Sequence, residues 1–483
     1  MTGIPLIAHH SAAIVPTAFL SRTRLLAAVI MLLALLQGCA STLAPHNAAI
    51  DQIPVKTGYR PSISKHESGP EGLVFDLSFS GGGTRAAALA YGVLEELART
   101  QVVAKGRQYR MLDLVENISA VSGGSYTAAY YGLFGDRLFQ DFEQKFLKRD
   151  VQDDITSTFL TPSNLISMSS PYYGRSDVLA EYLDTVLFEG KTFIDLERAV
   201  RREGRPFVLI NATDMARTSR FEFTQDQFDL LCSDLGTYKV SRAVAASSAV
   251  PVVFSPITLS NYAGRCGFSQ PQWMAQALRG RRESVRRYAL AADLQTYLDA
   301  GKRRYIHLLD GGLSDNLGLR AMLDRLELAG NAGELANLHN RRGVRRLVQI
   351  VVNAQARHEF PQLDRYAEVP TLSAIAFAVG NTTDRYNVET LAYARSAMEK
   401  AAQELAEWQR RTGMPETSDM QATLIEIGFD ELEDDEERAY FNALPTSFNL
   451  PPEAVDRLRE VGARLLRNSP DFQRLLRELP DLD

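Results

Sequence analysis

An open, mostly parallel α/β sheet flanked by helices, continued by a helical C-terminal extension, is the fold this sequence predicts. Three observations lead there. Short apolar runs of strand length recur between residues 73 and 352, and helix-forming stretches separate them. Small or polar residues follow the runs directly at their C-terminal ends, where open α/β sheets bind ligands. The length of 483 residues suits one large α/β domain with insertions or two modest domains.

The elements follow in order. Residues 73–79 form the first candidate strand, and Ser80-Gly81-Gly82-Gly83-Thr84-Arg85 turns directly out of it. Residues 85–100, rich in Ala, Leu and Glu, read as a helix. The second strand, 118–121, runs through Ser122-Gly123-Gly124 into a helical stretch at 126–132. Residues 206–210 end in Asn211-Ala212-Thr213-Asp214, residues 304–309 end at Asp310, and residues 345–352 end at Asn353. An insertion at about 258–303 holds Arg279, Arg281, Arg282, Arg286 and Arg287 near Trp273 and Met274. It reads either as a solvated helix face or as a cap that meets anionic lipid headgroups. Residues 383–411 predict a long helix and 451–479 a helical pair, while the acidic run 430–437 reads as a solvated loop.

Domain organisation follows from these elements and from the N-terminus. Arg22 and Arg24 precede an apolar run from Leu25 to Leu36, short for a membrane span and suited to a secretory signal. Leu36-Gln37-Gly38-Cys39 resembles a bacterial lipoprotein cleavage box. That resemblance implies a signal at 1–38 and a lipidated Cys39. Ala40 after the cysteine implies the outer membrane, with an inner-membrane anchor facing the periplasm as the alternative. Residues 39–70, with Pro45, Pro54, Pro61 and Pro70, read as a tether. The catalytic body is expected over 71–360 and the helical extension over 361–483.

Composition is ordinary for a globular protein, 45% hydrophobic and 23% charged. A formal charge of -6 argues against nucleic acid as a partner. Of three cysteines, Cys232 and Cys266 remain after Cys39, and they either pair in an oxidising compartment or stay as two buried thiols. Neither has metal-ligand spacing, and no metal or other cofactor is expected.

The chemistry resides in three short stretches. Serine is a weak nucleophile and needs a base within hydrogen-bond reach and donors for the developing oxyanion. Ser122 sits where a strand turns sharply into a helix, with the small neighbours Ala120 and Gly124 that such an elbow requires. Its rival Ser125 has the bulkier Thr127 two positions on. The glycines 81–83 follow a strand and open a helix, a geometry that aims N–H groups at an anion, and they lack the pattern of a nucleotide loop. Arg85, one turn into that helix, either contacts a phosphate headgroup or pins the turn by pairing with a carboxylate. Asp310, followed by Gly311 and Gly312, is the expected base. Of seven histidines, His9, His10, His46 and His66 fall in the signal or tether. His307 lies in a strand three residues before Asp310 and faces away from it, and His339 and His358 lie in loops, a Ser-His-Asp triad using one of them being the alternative to a direct carboxylate base.

Taken in order, these motifs resemble the patatin-like phospholipase family, related also to the catalytic domain of cytosolic phospholipase A2. The glycine turn with Arg85, the elbow at Ser122, the stretch from Val240 to Ser247 with Pro251, Phe254 and Pro256, and Asp310-Gly311-Gly312 carry the likeness over residues 72–355. Ala120 stands where the family's elbow has glycine. The resemblance implies a Ser122–Asp310 dyad without histidine, an oxyanion hole at Gly82 and Gly83, and membrane phospholipid as substrate. Asn211 and Asp214 match family positions near the site and read equally well as turn residues, and Asn316 as an organiser of the loop after Asp310. A soluble-ester or thioester hydrolase, and a non-catalytic membrane scaffold or transport accessory, are the other readings.

Overall fold

The computed structural model describes residues 45–55, 57–63, 72–104, 106–338, 343–357, 382–413 and 420–479. The signal at 1–38, Cys39, and His9, His10, His66, His339 and His358 lie outside the described residues.

An eight-stranded mixed sheet organises the chain. Its strands are β1 (Leu73–Phe79), β2 (Asn117–Val121), β3 (Phe207–Asp214), β4 (Ser219–Glu222), β5 (Ile257–Ser260), β6 (Tyr305–Leu309), β7 (Arg346–Asn353) and β8 (Gln421–Gly428). In space the order is β8-β7-β1-β2-β3-β6-β5, with β4 also on β3. The pairs from β8 to β3 are all parallel. Every residue of β3 is buried, as expected of a parallel strand covered on both faces. The carboxyl ends of β7, β1, β2 and β3 therefore meet along one edge.

The sheet is mostly parallel, as expected, and the sixth strand runs against the parallel set. β6 pairs antiparallel with β3, Leu308 opposite Asp214 and Leu309 opposite Thr213. It thus approaches the carboxyl edge head-on from beyond it, and its last residue leads Asp310 down toward the end of β2. A parallel strand there would deliver the carboxylate on a path rising away from the edge.

Helix α1 (Gly83–Arg99) lies between the sheet and the C-terminal helix α5 (Pro452–Asn468), and almost all of α1 is buried. Small residues make this approach feasible. A Cβ on Gly92 would lie 2.1 Å from the Arg459 carbonyl oxygen, and one on Gly462 2.6 Å from that of Leu89. Alanine favours helices over glycine by about 1 kcal/mol, yet the backbone clash reverses the sign. Gly92→Ala is expected to destabilise the protein by about 1–3 kcal/mol, read as a lower denaturant midpoint. Helices α2 (Gly123–Phe134), α3 (Val240–Ser247) and the long α4 (Thr382–Arg411) also belong to the framework.

Two expectations change. Residues 45–55 and 57–63, within the stretch read as tether, form part of the body. Tyr59 is fully buried, stacks on Phe207 at 4.2 Å, and exchanges hydrogen bonds of 2.8 Å with both the N–H and C=O of Val208. It covers a flank of β3 that no strand among the described residues reaches there. Arg60 beside it pairs with Asp226 and Asp229. One aromatic and one arginine in a proline-rich stretch carry no periodicity, so the sequence pattern did not reveal them. The C-terminal extension is helical as expected, and within it β8 adds a strand to the sheet edge beside β7. The acidic run is a helix start: Asp434 caps Asp435–Ala443 by accepting from the N–H groups of Glu436 and Glu437. Carboxylates are favoured at such an end.

Cys232 and Cys266 are joined in a disulfide across a sequence separation of 34. The helical insertion Gln272–Arg279 and Val285–Gln295 lies over the antiparallel side of the sheet. Its side chains reach Arg217 through Asp293, Glu327 through Ser284, and the ring of Tyr393 through Arg286 at 3.5 Å.

Candidate active site

The strand-to-helix turn at Ser122 is strained. Its φ of 47° and ψ of -121° lie where non-glycine residues seldom settle. Such a conformation persists only when the surroundings over-determine it, and they do. The N–H of Ser122 donates to Ser247 Oγ at 2.8 Å, and that hydroxyl in turn donates to the Asn211 carbonyl at 2.6 Å. Both the N–H and the hydroxyl of Ser125 donate to the Ser122 carbonyl, at 2.9 and 2.6 Å. The N–H of Gly124 donates to the carbonyl of Ser80. A Cβ on Gly124 would come within 2.6 Å of Phe79, so the small residue there is a packing requirement. Ala120 is fully buried in β2.

The elbow aims Ser122 Oγ at Asp310, to whose Oδ2 it donates at 2.8 Å. The other carboxylate oxygen accepts the N–H of Gly312 at 2.7 Å. Backbone bonds fix Asp310 and its successor: the N–H of Asp310 donates to Ala249, that of Gly311 to Ser247, and Thr213 Oγ1 donates to the Asp310 carbonyl. A Cβ on Gly311 would lie 2.4 Å from the Asn211 carbonyl oxygen, so β3 and the Asp310 turn touch there. Ser122 and Asp310 are each 7% exposed. Burial pushes the Asp310 carboxyl up to about 6, against the two hydrogen bonds, which favour the ionised form. At neutral pH the group is mostly ionised, and still basic enough to take a proton.

The glycine turn closes the third side. Gly82 and Gly83 have φ of 139° and 60°, and the backbone of Gly83 lies directly against Gly123. The N–H of Gly81 is taken by the Asn316 carbonyl and that of Thr84 by the Ser447 carbonyl. Among the described residues no acceptor takes the N–H of Gly82 or Gly83, which stand at the start of α1 beside Ser122. Two donors at a helix N-terminus next to a serine suit an oxygen that becomes negative.

Arg85 pins this turn. Its guanidinium is buried and donates to the carbonyls of Ala354 and Leu444, at 2.9 and 2.5 Å, and to Thr446 Oγ1 at 3.0 Å. Of the two readings of Arg85, these contacts support the structural one. Asn211 and Asp214 are structural as well. Asn211 ties β2 to β3 through Ser119 and Ala120, and Asp214 is held by Tyr297 and Arg303. Asn316 orders the turn through its carbonyl bond to Gly81. His307 is exposed and meets Thr258, away from the dyad.

Sequence reasoning missed Ser247. It lies in the stretch that carries the family likeness, but nothing local distinguishes it from Ser241 or Ser248. The role comes from α3 being laid across the elbow. Ser247→Ala leaves the buried Ser122 N–H unpaired, at a cost of about 1–3 kcal/mol. Because that bond holds the strained elbow, kcat on a short-chain ester is expected to fall about tenfold to a hundredfold.

Comparison with known proteins bears on what this geometry means. The sequence profile of the Patatin family, described as patatin-like phospholipase, matches residues 77–323, more than half of the chain. The chain belongs to the patatin-like phospholipase family. That membership supports hydrolase activity of the serine type on lipids in general. No curated protein matches the sequence. Among solved structures, human GIVD cytosolic phospholipase A2 is similar at 13% identity and a TM-score of 0.44, over 85% of this chain and 63% of that one. The same human enzyme in complex with methyl gamma-linolenyl fluorophosphonate is similar at 14% identity and a TM-score of 0.41, over 86% and 60%. This patatin-like chain thus spans less than two thirds of the length of those chains. The segment that pins the glycine turn, Leu444 to Ser447, lies outside the region matched to the family.

Proposed function

We propose that the protein is a serine acyl hydrolase that cleaves carboxylic ester bonds of membrane phospholipids through Ser122 and Asp310. The observation that carries this reading is the 2.8 Å bond from the hydroxyl of an elbow serine to a buried, raised carboxylate. Ser122 Oγ attacks the ester carbonyl carbon while Asp310 Oδ2 takes its proton. The carbonyl oxygen becomes an oxyanion and accepts from the N–H groups of Gly82 and Gly83. Collapse breaks the ester C–O bond, and Asp310 returns its proton to the departing alcohol oxygen. Water then attacks the acyl-enzyme, gives a proton to Asp310, and frees the fatty acid as Ser122 recovers its hydrogen. This sequence requires no histidine and no metal. We propose in addition that Cys39 carries a lipid anchor after cleavage behind Gly38, which would hold the enzyme on a bacterial outer membrane.

Fluorophosphonate labelling followed by peptide mass spectrometry tests the mechanism. A single adduct on Ser122 that fades in Asp310→Asn is the expected result. An adduct on Ser125 would displace the elbow, and none in the presence of vesicles would favour the non-catalytic scaffold. Comparing a soluble ester, a thioester and phospholipid vesicles then separates the substrate classes.

A further inference from the structure

Two segments of this chain carry no charge at all. Between Asp154 and Arg175, and again between Arg242 and Arg265, there is no Asp, Glu, Lys, Arg or His. A chain with 23% charged residues would place about ten charges in runs of that combined length. The second run is explained in part by burial of α3 in the core. The first is not, since its residues lie largely on the surface.

The fold brings the two runs together. Arg175, at the end of the first, donates to the Val252 carbonyl at 2.7 Å, and the N–H of Ser176 donates to Ser255 Oγ. The ring of Phe159 meets that of Phe254 edge-on at 6.4 Å. Around this seam Leu160, Leu165, Ile166, Tyr172, Val252 and Val253 are all more than half exposed or nearly so. Val252 is 88% exposed and has a φ of 73°. A β-branched residue in that region is strained, and here the strain projects an apolar side chain into solvent.

The seam also leads to the dyad. The Val250–Phe254 turn begins at Ala249, whose carbonyl accepts the N–H of Asp310. From Phe254 an aromatic line continues to Phe448 at 5.9 Å and on to Tyr126 at 5.8 Å, four residues past Ser122. Phe448 follows Ser447, which lies on the glycine turn.

Resting on the lipid-hydrolase reading, we propose that the turns around Leu165 and Val252 form a neutral docking rim that inserts into an uncharged lipid surface beside the mouth of the Ser122 site. The lack of charge within the two runs selects this occupant: an apolar patch whose bordering Arg175 is tied to the Val252 carbonyl suits the acyl boundary of a bilayer, where a free charge would resist insertion. A protein partner would be expected to meet a polar rim. The aromatic line from Phe159 to Tyr126 joins that surface to the elbow through packed rings. The arginine-bearing insertion, by contrast, commits Arg286 and Arg287 to Tyr393 and Leu328.

Depth-dependent quenching tests the rim. Val252→Trp and Ile166→Trp would be placed singly in the full chain and bound to phosphatidylcholine vesicles with brominated acyl chains, with Arg282→Trp for comparison. Emission above the background of Trp273 and Trp408 should be strongly quenched for the two rim variants and not for Arg282→Trp. Rim tryptophans that stay unquenched, or quenching confined to Arg282→Trp, would overturn the proposal. In a second arm, Leu165→Ser/Ile166→Ser/Val252→Ser/Val253→Ser should lower the ratio of vesicle turnover to 4-nitrophenyl butyrate turnover at least tenfold. An unchanged ratio would count against the rim. If the parent chain hydrolyses neither substrate while the rim tryptophans are quenched, the hydrolase reading fails and the docking surface stands.

Discussion

Asp310→Asn is expected to lower turnover of a short-chain ester by about three to four orders of magnitude, with the fold intact. The amide preserves the shape of the carboxyl and can still meet the Ser122 hydroxyl and the Gly312 N–H, yet it cannot take a proton. The same carboxyl sets the pH dependence. With the group pushed up to about 6, kcat/KM in the parent should rise with pH, reach half its plateau near pH 6, and level off above. Stability should move the opposite way. Between the ordinary carboxylate range and about 6, the folded state holds a proton that the unfolded state has released. The stabilisation present below pH 4 is therefore lost as pH rises through 6, by about 3 kcal/mol in all. Asp310→Asn escapes this loss, so at pH 7.5 the inactive variant should melt several degrees above the parent. A calorimetric scan at pH 4.5 and 7.5 checks the sign, and a pH-rate profile without an inflection near 6 would remove Asp310 as the base.

Gly83→Ala should reduce kcat by about a hundredfold to a thousandfold, the range expected when an oxyanion donor is displaced. The φ of 60° is strained for alanine, and the new Cβ would fall 2.4 Å from the Ser447 carbonyl oxygen. Backbone on both sides leaves only the glycine turn to give way. It carries the N–H of Gly83 out of line with the oxygen while Ser122 keeps its bond to Asp310. Presteady-state kinetics should show slower acylation at a nearly unchanged KM. A thousandfold loss accompanied by global unfolding would point instead to the turn's packing against Ser447.

Much of this site is readable in the chain because its parts are local. A strand running into glycines, or into Ser122 between Ala120 and Gly124, states its own turn: the small residues are there because the backbone needs the space. The same holds for Asp310-Gly311-Gly312, where the glycines admit close approach to β3. What depends on the approach of distant elements left no such mark. The antiparallel course of β6 rests on its partner, and an apolar run of that length looks the same in either direction. Likewise Ser247 is one serine among several until α3 crosses the elbow, and Tyr59 is a lone aromatic until it lands on Val208.

The proposed acyl-hydrolase chemistry thus rests on residue identity at three turns, since a nucleophile, a base and a donor loop each demand residues that are rare in that order. Only tertiary structure decided how the parts are held. A segment more than 350 residues beyond Arg85 accepts its guanidinium and so positions the glycine turn, and two uncharged stretches separated along the chain share one exposed seam. Such contacts are set by packing complementarity between surfaces, a property that no short stretch of sequence carries by itself.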